Sequence, residues 1–120
     1  MDGLLFGENE VSKIFYFFPD PWPKKRHLKK RLFQKKFLDE AYQVLTCGGQ
    51  ILVKTDHDGY FDWMNNELRD DDRFEKIMFT KDLYQEEPQH FLASFQTKFE
   101  KIFLEKKIKI KAMVLRSKKV

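Results

Sequence analysis

The run Ile14 to Phe18, IFYFF, constrains the fold more than any other stretch of the chain. It is apolar without alternation, so a strand made from it must be covered on both faces, as in a parallel sheet clad by helices and unlike a hairpin with one wet face. Such a strand needs neighbours on both sides. From Leu32, the apolar positions Phe33, Phe37, Leu38, Ala41 and Leu45 recur at helical spacing, and Gly48 with Gly49 predicts a left-handed helix stop. QILVKT then reads as a second short apolar strand. After DHDG, which offers Asp58 as a cap, Phe61, Met64 and Leu68 predict a second helix. FEKIMF is a third strand; Phe91, Leu92, Phe95, Phe99, Ile102 and Phe103 stripe a third helix; IKIKAMVL alternates as a one-sided strand does. Strands separated by helices of this length predict an α/β sheet with right-handed crossovers. No repeat, low-complexity tract or linker divides the 120 residues, so one domain over 1–120 is expected.

Charge narrows the partner. The chain carries 23 Lys and Arg against 19 Asp and Glu, and the excess is uneven. Cations crowd into residues 24–31 and into the tail from Lys98, while acids gather around Asp70 to Asp72, a pattern suited to a polyanion. The single cysteine, Cys47, has no internal disulfide partner, and its position before Gly48 predicts a small buried thiol at a helix end without a catalytic role. No signal peptide or apolar run of spanning length opens the chain, so a cytoplasmic protein without a membrane partner is expected. His57 and His90 lack partners at metal-ligand spacing; no metal site is expected, and both read as surface or core histidines.

Asp20 is the candidate reactive group. It follows the first strand directly, and in open α/β sheets ligands bind beyond the carboxyl ends of strands. Pro19 and Pro21 fix their own φ angles, and Pro21 keeps Asp20 out of the helical region, so this carboxylate sits on stiff backbone. An isolated Pro-Asp-Pro would more simply end a strand and cap a turn. The segment behind it argues for more. Lys24, Lys25, Arg26, Lys29, Lys30 and Arg31, with His27 among them and Trp22 ahead, join phosphate-neutralising charge to an aromatic plane that can stack on a base. Cations in a first helical turn oppose the helix dipole, so an anionic ligand accounts for them better than solvation does.

FPDPWPKKRHLKKR resembles the signature of the bacterial tRNA (guanine-N7)-methyltransferase family, and KTD at Lys54 to Asp56 and TKFE at Thr97 to Glu100 are similar to its other two motifs, in the same order. The resemblance runs from about Val11 to the end and matches the C-terminal half of the family. It implies the C-terminal half of a Rossmann-like S-adenosylmethionine-dependent methyltransferase fold, a mixed sheet with flanking helices, without the N-terminal donor-binding strands. The implied substrate is the variable-loop guanosine of tRNA, and the implied cofactor is S-adenosylmethionine. By the same resemblance Asp20 is the catalytic and cofactor-side acid. Lys24, Asp56, Thr97, Lys98, Phe99 and Glu100 are the substrate-contacting positions, and Arg26, His27, Lys29, Lys30 and Arg31 form the RNA-binding stretch. Guanine N7 carries a free lone pair and no proton, so no strong base is required; a fixed carboxylate would stabilise the positive charge that develops on the ring. Asp20 could equally accept from the guanine N1 and N2 protons and hold the base.

The five glycines supply no GxGxG turn, so the donor-binding half of such a fold is missing from the pattern and the first strand is expected to show an unpaired apolar edge. Three readings follow. The chain is half of a tRNA methyltransferase, active when a second polypeptide supplies the other half; or a non-catalytic RNA-binding module; or an inactive truncated remnant that folds as a homodimer.

Overall fold

The computed structural model describes residues 7–21 and 24–119. The chain forms β1 (Val11–Phe17), a 3-10 turn (Lys25–Lys30), α1 (Lys35–Val44), β2 (Leu45–Thr55), α2 (Asp58–Leu68), β3 (Phe74–Thr80), α3 (Leu83–Glu86), a second 3-10 turn (Phe91–Ala93), α4 (Lys98–Glu105) and β4 (Lys111–Ser117). The four strands make one sheet in the order β1-β2-β4-β3. β1 and β2 are parallel, joined through α1, whereas β4 enters between β2 and β3 antiparallel to both. The sheet is therefore mixed, as the family resemblance implied.

Both faces of the sheet are covered. On one face Ile51, Val53, Met113 and Leu115 pack with Phe33, Phe37, Leu38 and Ala41 around α1 and with Tyr60, Phe61 and Met64 from α2. On the other, Leu52, Met78, Ala112 and Val114 meet Leu83, Leu92 and Ile110, flanked by Phe17, Phe103 and Leu104. β4 is buried from Lys111 to Leu115, so IKIKAMVL is a central strand and not the one-sided strand its alternation predicts. The lysines that create the alternation lie before the strand or are tied down at its first residue.

Further expectations change for local reasons. Gly48 and Gly49 do not stop α1; the helix turns into β2 at Leu45, whose extended backbone (φ −71°, ψ 140°) begins the strand. Both glycines serve an irregularity within β2, where the register slips between Val11↔Leu45 and Lys13↔Gln50. Gly48 sits at φ +70°, and a Cβ on Gly49 would meet Leu45 Cδ2 and Thr46 O at 3.0 Å. Cys47 is consequently exposed on this stretch. α2 is capped by His57, not Asp58: the Tyr60 N–H donates to His57 Nδ1 at 2.9 Å. His90 does the same for the second 3-10 turn, accepting from the Leu92 N–H at 3.0 Å. The striped third helix divides, because only Lys98–Glu105 is α-helical and Phe91, Phe95, Phe99 and Ile102 stay exposed. β1 pairs only with β2 among the described residues, and Phe15 is 51% exposed beside its open edge.

α4 ends in a Schellman motif: the Lys107 N–H donates to Leu104 O at 3.0 Å and the Ile108 N–H to Phe103 O at 2.8 Å. The left-handed position such a motif requires is filled by Lys107, at φ 61°, where glycine is usual.

Candidate functional site

Topology sets the site. Phe17 is paired with Lys54 in the parallel β1–β2 ladder, so Asp20, three residues past Phe17, and Asp56, two past Lys54, leave neighbouring strands at the same sheet end. Thr55 is paired with Lys111 and Thr80 with Ala112, which brings the start of β4 and the end of β3 to that end as well.

The turn that carries Asp20 is held at three points. The Phe18 N–H donates to Lys54 O at 2.8 Å, and Phe18 itself lies at φ 49°, an uncommon left-handed conformation for a bulky residue. Its ring is packed against Phe103, at 5.8 Å between centroids, which holds the backbone there. After Asp20, the Arg31 Nε–H donates to Pro21 O at 2.7 Å, closing the basic segment back onto the Pro-Asp-Pro turn. The Arg31 guanidinium lies 4.9 Å from the Tyr60 ring centre and 5.2 Å from that of Trp63, and the residue is buried. Arg31 therefore departs from the outward, phosphate-facing role expected of it; it is the anchor of the segment. Lys24, Arg26, Lys29 and Lys30 are exposed on the segment it pins. Trp22 and the side chain of His27 lie outside the described residues.

Tyr60 links this anchor to the sheet. Its hydroxyl shares a 2.7 Å hydrogen bond with the Tyr16 hydroxyl and accepts from the Phe33 N–H at 3.3 Å. Burial, then the hydrogen bond to Tyr60, pushes the Tyr16 hydroxyl well above the ordinary tyrosine range.

Thr97 to Glu100 reach the site through an ion pair that joins two sequence motifs. Lys54 Nζ donates to Glu100 Oε1 at 2.8 Å, and both side chains are fully buried. The Tyr84 hydroxyl donates to the same oxygen at 2.8 Å, and the Thr97 N–H to Oε2 at 2.5 Å. The Glu100 N–H returns a bond to Thr97 Oγ1 at 3.2 Å, completing a capping box at the start of α4. The rings of Phe95 and Phe17 lie 4.1 and 5.3 Å from Lys54 Nζ. Burial alone would push the Glu100 carboxyl up, but the hydrogen bonds from Lys54, the Thr97 N–H and Tyr84 outweigh it and hold the group below the usual glutamate range. Glu100, expected at the substrate, thus faces inward. Lys98 and Phe99 remain exposed, Phe99 at 63%. Sequence reasoning passed over Lys54 and Tyr84 as members of this cluster; the Thr97-x-x-Glu100 capping signature is the signal that places the carboxylate against the helix start.

Lys111 fixes Asp56 from the other side. It is buried, donates to Asp56 O at 3.0 Å and lies 3.2 Å from Asp58 Oδ1. Among the described residues no group of three or more His, Cys, Asp or Glu could hold a metal ion, and no helix is long and apolar enough to cross a membrane.

These features define a mixed α/β domain with two carboxylates at adjacent strand ends and a pinned basic segment beside them. The chain belongs to a methyltransferase family: residues 3–113 match the family described as "Putative methyltransferase". It is 39% identical to the tRNA (guanine-N(7)-)-methyltransferase of Mycoplasma genitalium over 115 residues, 92% of this chain and 52% of that protein. To the tRNA (guanine-N(7)-)-methyltransferase of Brevibacillus brevis it is 42% identical over 81 residues, 68% of this chain and 37% of the relative. The protein of the same name from Mesoplasma florum is 40% identical over 80 residues, 67% and 36% of the two chains. The chain spans between about a third and about half the length of these curated relatives.

Proposed function

We propose that this chain forms the guanosine- and RNA-facing part of an S-adenosylmethionine-dependent tRNA (guanine-N7)-methyltransferase, the C-terminal half of its Rossmann-like fold. The observation that carries the reading is the convergence of Asp20, Asp56 and the basic segment from Lys24 at one sheet end. When bound, S-adenosylmethionine would supply an electrophilic methyl group, with the carbon–sulfur bonding pair left on sulfur. The described residues fit the reacting-centre side of such a donor, because Asp20 provides a fixed carboxylate. They offer no glycine-rich cradle at a strand end: Gly48 and Gly49 lie in the first half of β2, away from the end that carries Asp20 and Asp56.

Asp20 stabilises the cationic guanine ring as its N7 lone pair is committed to the new bond, and the pinned turn keeps that carboxylate from relaxing away. Asp56 accepts from the base edge or ribose; Lys24, Thr97, Lys98 and Phe99 contact the nucleoside, with Phe99 offering a stacking face. Glu100 acts through Thr97 as a positioning residue. Arg26, His27, Lys29 and Lys30 take phosphates, and the exposed β1 edge receives a further strand from a second polypeptide that carries the donor-binding half. The glycine-poor strand ends favour a second reading, an RNA-binding module that does not methylate.

Two titrations test the proposal. Gel-shift binding of an unmodified tRNA transcript is expected to show a steep salt slope that Arg26→Gln with Lys29→Gln flattens by about 1.4, from about 0.7 per single-strand phosphate contact; absent or salt-insensitive binding refutes both readings. Calorimetry with S-adenosylmethionine beside Asp20→Ala then tests the chain by itself: binding lost in the variant supports a donor site rebuilt within this chain, and no binding by the parent means that the chain alone does not methylate, so that donor binding must come with the other half. Sedimentation over a concentration series distinguishes a homodimer at the β1 edge from a chain awaiting a different partner.

A further inference from the structure

A cavity of about 460 Å³ opens at the same sheet end, on the side away from the segment 24–31, lined by Lys81, Lys107, Lys109, Lys111, Asp56 and Asp58. Its charges are not all neutralised from within. Lys111 is held by Asp58 and the Asp56 carbonyl, and Lys81 lies 2.9 Å from Asp62 Oδ1. Lys107 and Lys109 are exposed and have no carboxylate partner among the described residues. Lys107 also occupies the left-handed position of the Schellman motif, so a charged side chain stands where the backbone favours glycine. The local fold gives no reason for that choice, and a ligand does.

We infer that this cavity is a second phosphate-binding site for RNA, in which Lys81, Lys107 and Lys109 take backbone phosphates of nucleotides flanking the base that Asp56 faces. The inference rests on the tRNA reading above and extends its RNA surface beyond the 24–31 segment. The sheet supplies the geometry: from β1, which leads to that segment, to β3, which leads to Lys81, three strand spacings of about 4.8 Å separate two basic rims by about 14 Å. Asp56 emerges from β2, between them. An RNA strand crossing this end would meet cations on both sides of a carboxylate pair, the arrangement in which phosphates position and a base edge is read. Lys107 and Lys109 of the basic tail, which the motifs leave without a role, acquire one here.

The test is tRNA binding by the full chain, measured from 50 to 300 mM salt, for the parent and for the triple variant Lys81→Gln, Lys107→Gln, Lys109→Gln. A matched control, Arg69→Gln, Lys76→Gln, Lys118→Gln, removes equal charge away from this rim. The rim variant is expected to flatten the slope of log K against log salt by about 2 and to lower affinity by about 100-fold at 0.1 M, from about 0.7 per phosphate contact, while the control stays near the parent. Thermal melting checks that all three chains are folded. A folded rim variant that binds like the parent, or a control that loses as much, overturns the second site and leaves the tRNA reading standing. A parent chain that does not bind tRNA overturns the tRNA reading and this inference with it.

Discussion

Lys54→Met is the sharpest perturbation of the site because it removes the only ion-pair partner, among the described residues, of a fully buried carboxylate. In the variant, Glu100 has either to stay charged in the core or to take up a proton. Protonation sets the ceiling on the loss: against an unfolded glutamate pKa of about 4.3, neutralising the group at pH 7 costs about 1.36 kcal/mol for each of 2.7 pH units, or about 3.7 kcal/mol. The same arithmetic gives about 2.3 kcal/mol at pH 6, and both values fall within or just below the 3–5 kcal/mol typical of a broken buried pair. Urea unfolding of the parent, Lys54→Met and Lys54→Met with Glu100→Gln, at pH 6 and pH 7, reads these quantities directly. The single variant is expected to gain about 1.4 kcal/mol of relative stability on going from pH 7 to pH 6, and the double variant to recover at least half of the pH 7 loss with no such dependence. A single-variant loss below about 1 kcal/mol, or one equal at the two pH values, would refute the buried pair as the clamp of the Thr97 segment.

Three further outcomes follow from the same contacts. The raised Tyr16 hydroxyl contributes stability that is complete below the unfolded tyrosine pKa near 10 and is lost as pH rises through the folded value. The parent should therefore weaken above pH 10 by up to about 1.4 kcal/mol per pH unit from this group, and Tyr16→Phe should show a shallower alkaline limb in denaturant melts. Lys107→Gly trades a left-handed lysine for the residue that position favours; a left-handed penalty of about 1–2 kcal/mol less the extra chain entropy of glycine, about 0.5–1 kcal/mol, leaves a gain of roughly 0.5–1 kcal/mol, measured as a raised Tm together with weaker tRNA binding. Arg31→Gln should cost about 2 kcal/mol by releasing the Pro21 carbonyl and the Tyr60 and Trp63 rings, whereas Lys29→Gln should leave urea stability within about 0.5 kcal/mol and act on the salt slope alone.

The elements were legible because their signals are local. Phe33 to Leu45 repeats at helical spacing and IFYFF demands two covered faces, so α1 and β1 could be read directly. The sheet order could not: the place of β4 between β2 and β3 depends on pairings such as Ile51↔Leu115 and Phe79↔Met113, which no window of sequence contains. Gly48 and Gly49 misled because a glycine pair after a helical stripe looks the same whether it ends the helix or relieves an irregular strand. Lys54 and Glu100 misled in the opposite way. Each alone is a polar residue expected at the surface, and their burial makes sense only as a pair 46 residues apart. At the site, Asp20 and its stiff turn were visible from the prolines. Arg31 was not distinguishable from its basic neighbours, since what separates it is the pair of rings on α2 against which it lies.

β4 carries a consequence for how the protein is made. It is the last strand in chain order and the only one among the described residues that joins β3 to the rest of the sheet. While the ribosome is still short of residue 111, β2 and β3 both present bare edges, and the core lacks Met113 and Leu115 on one face of the sheet and Ala112 and Val114 on the other. The nascent chain is therefore sticky until residues 111–117 emerge, and a stop codon or protease cut ahead of Lys111 would release two unjoined sheet fragments prone to aggregate, not a smaller version of the domain.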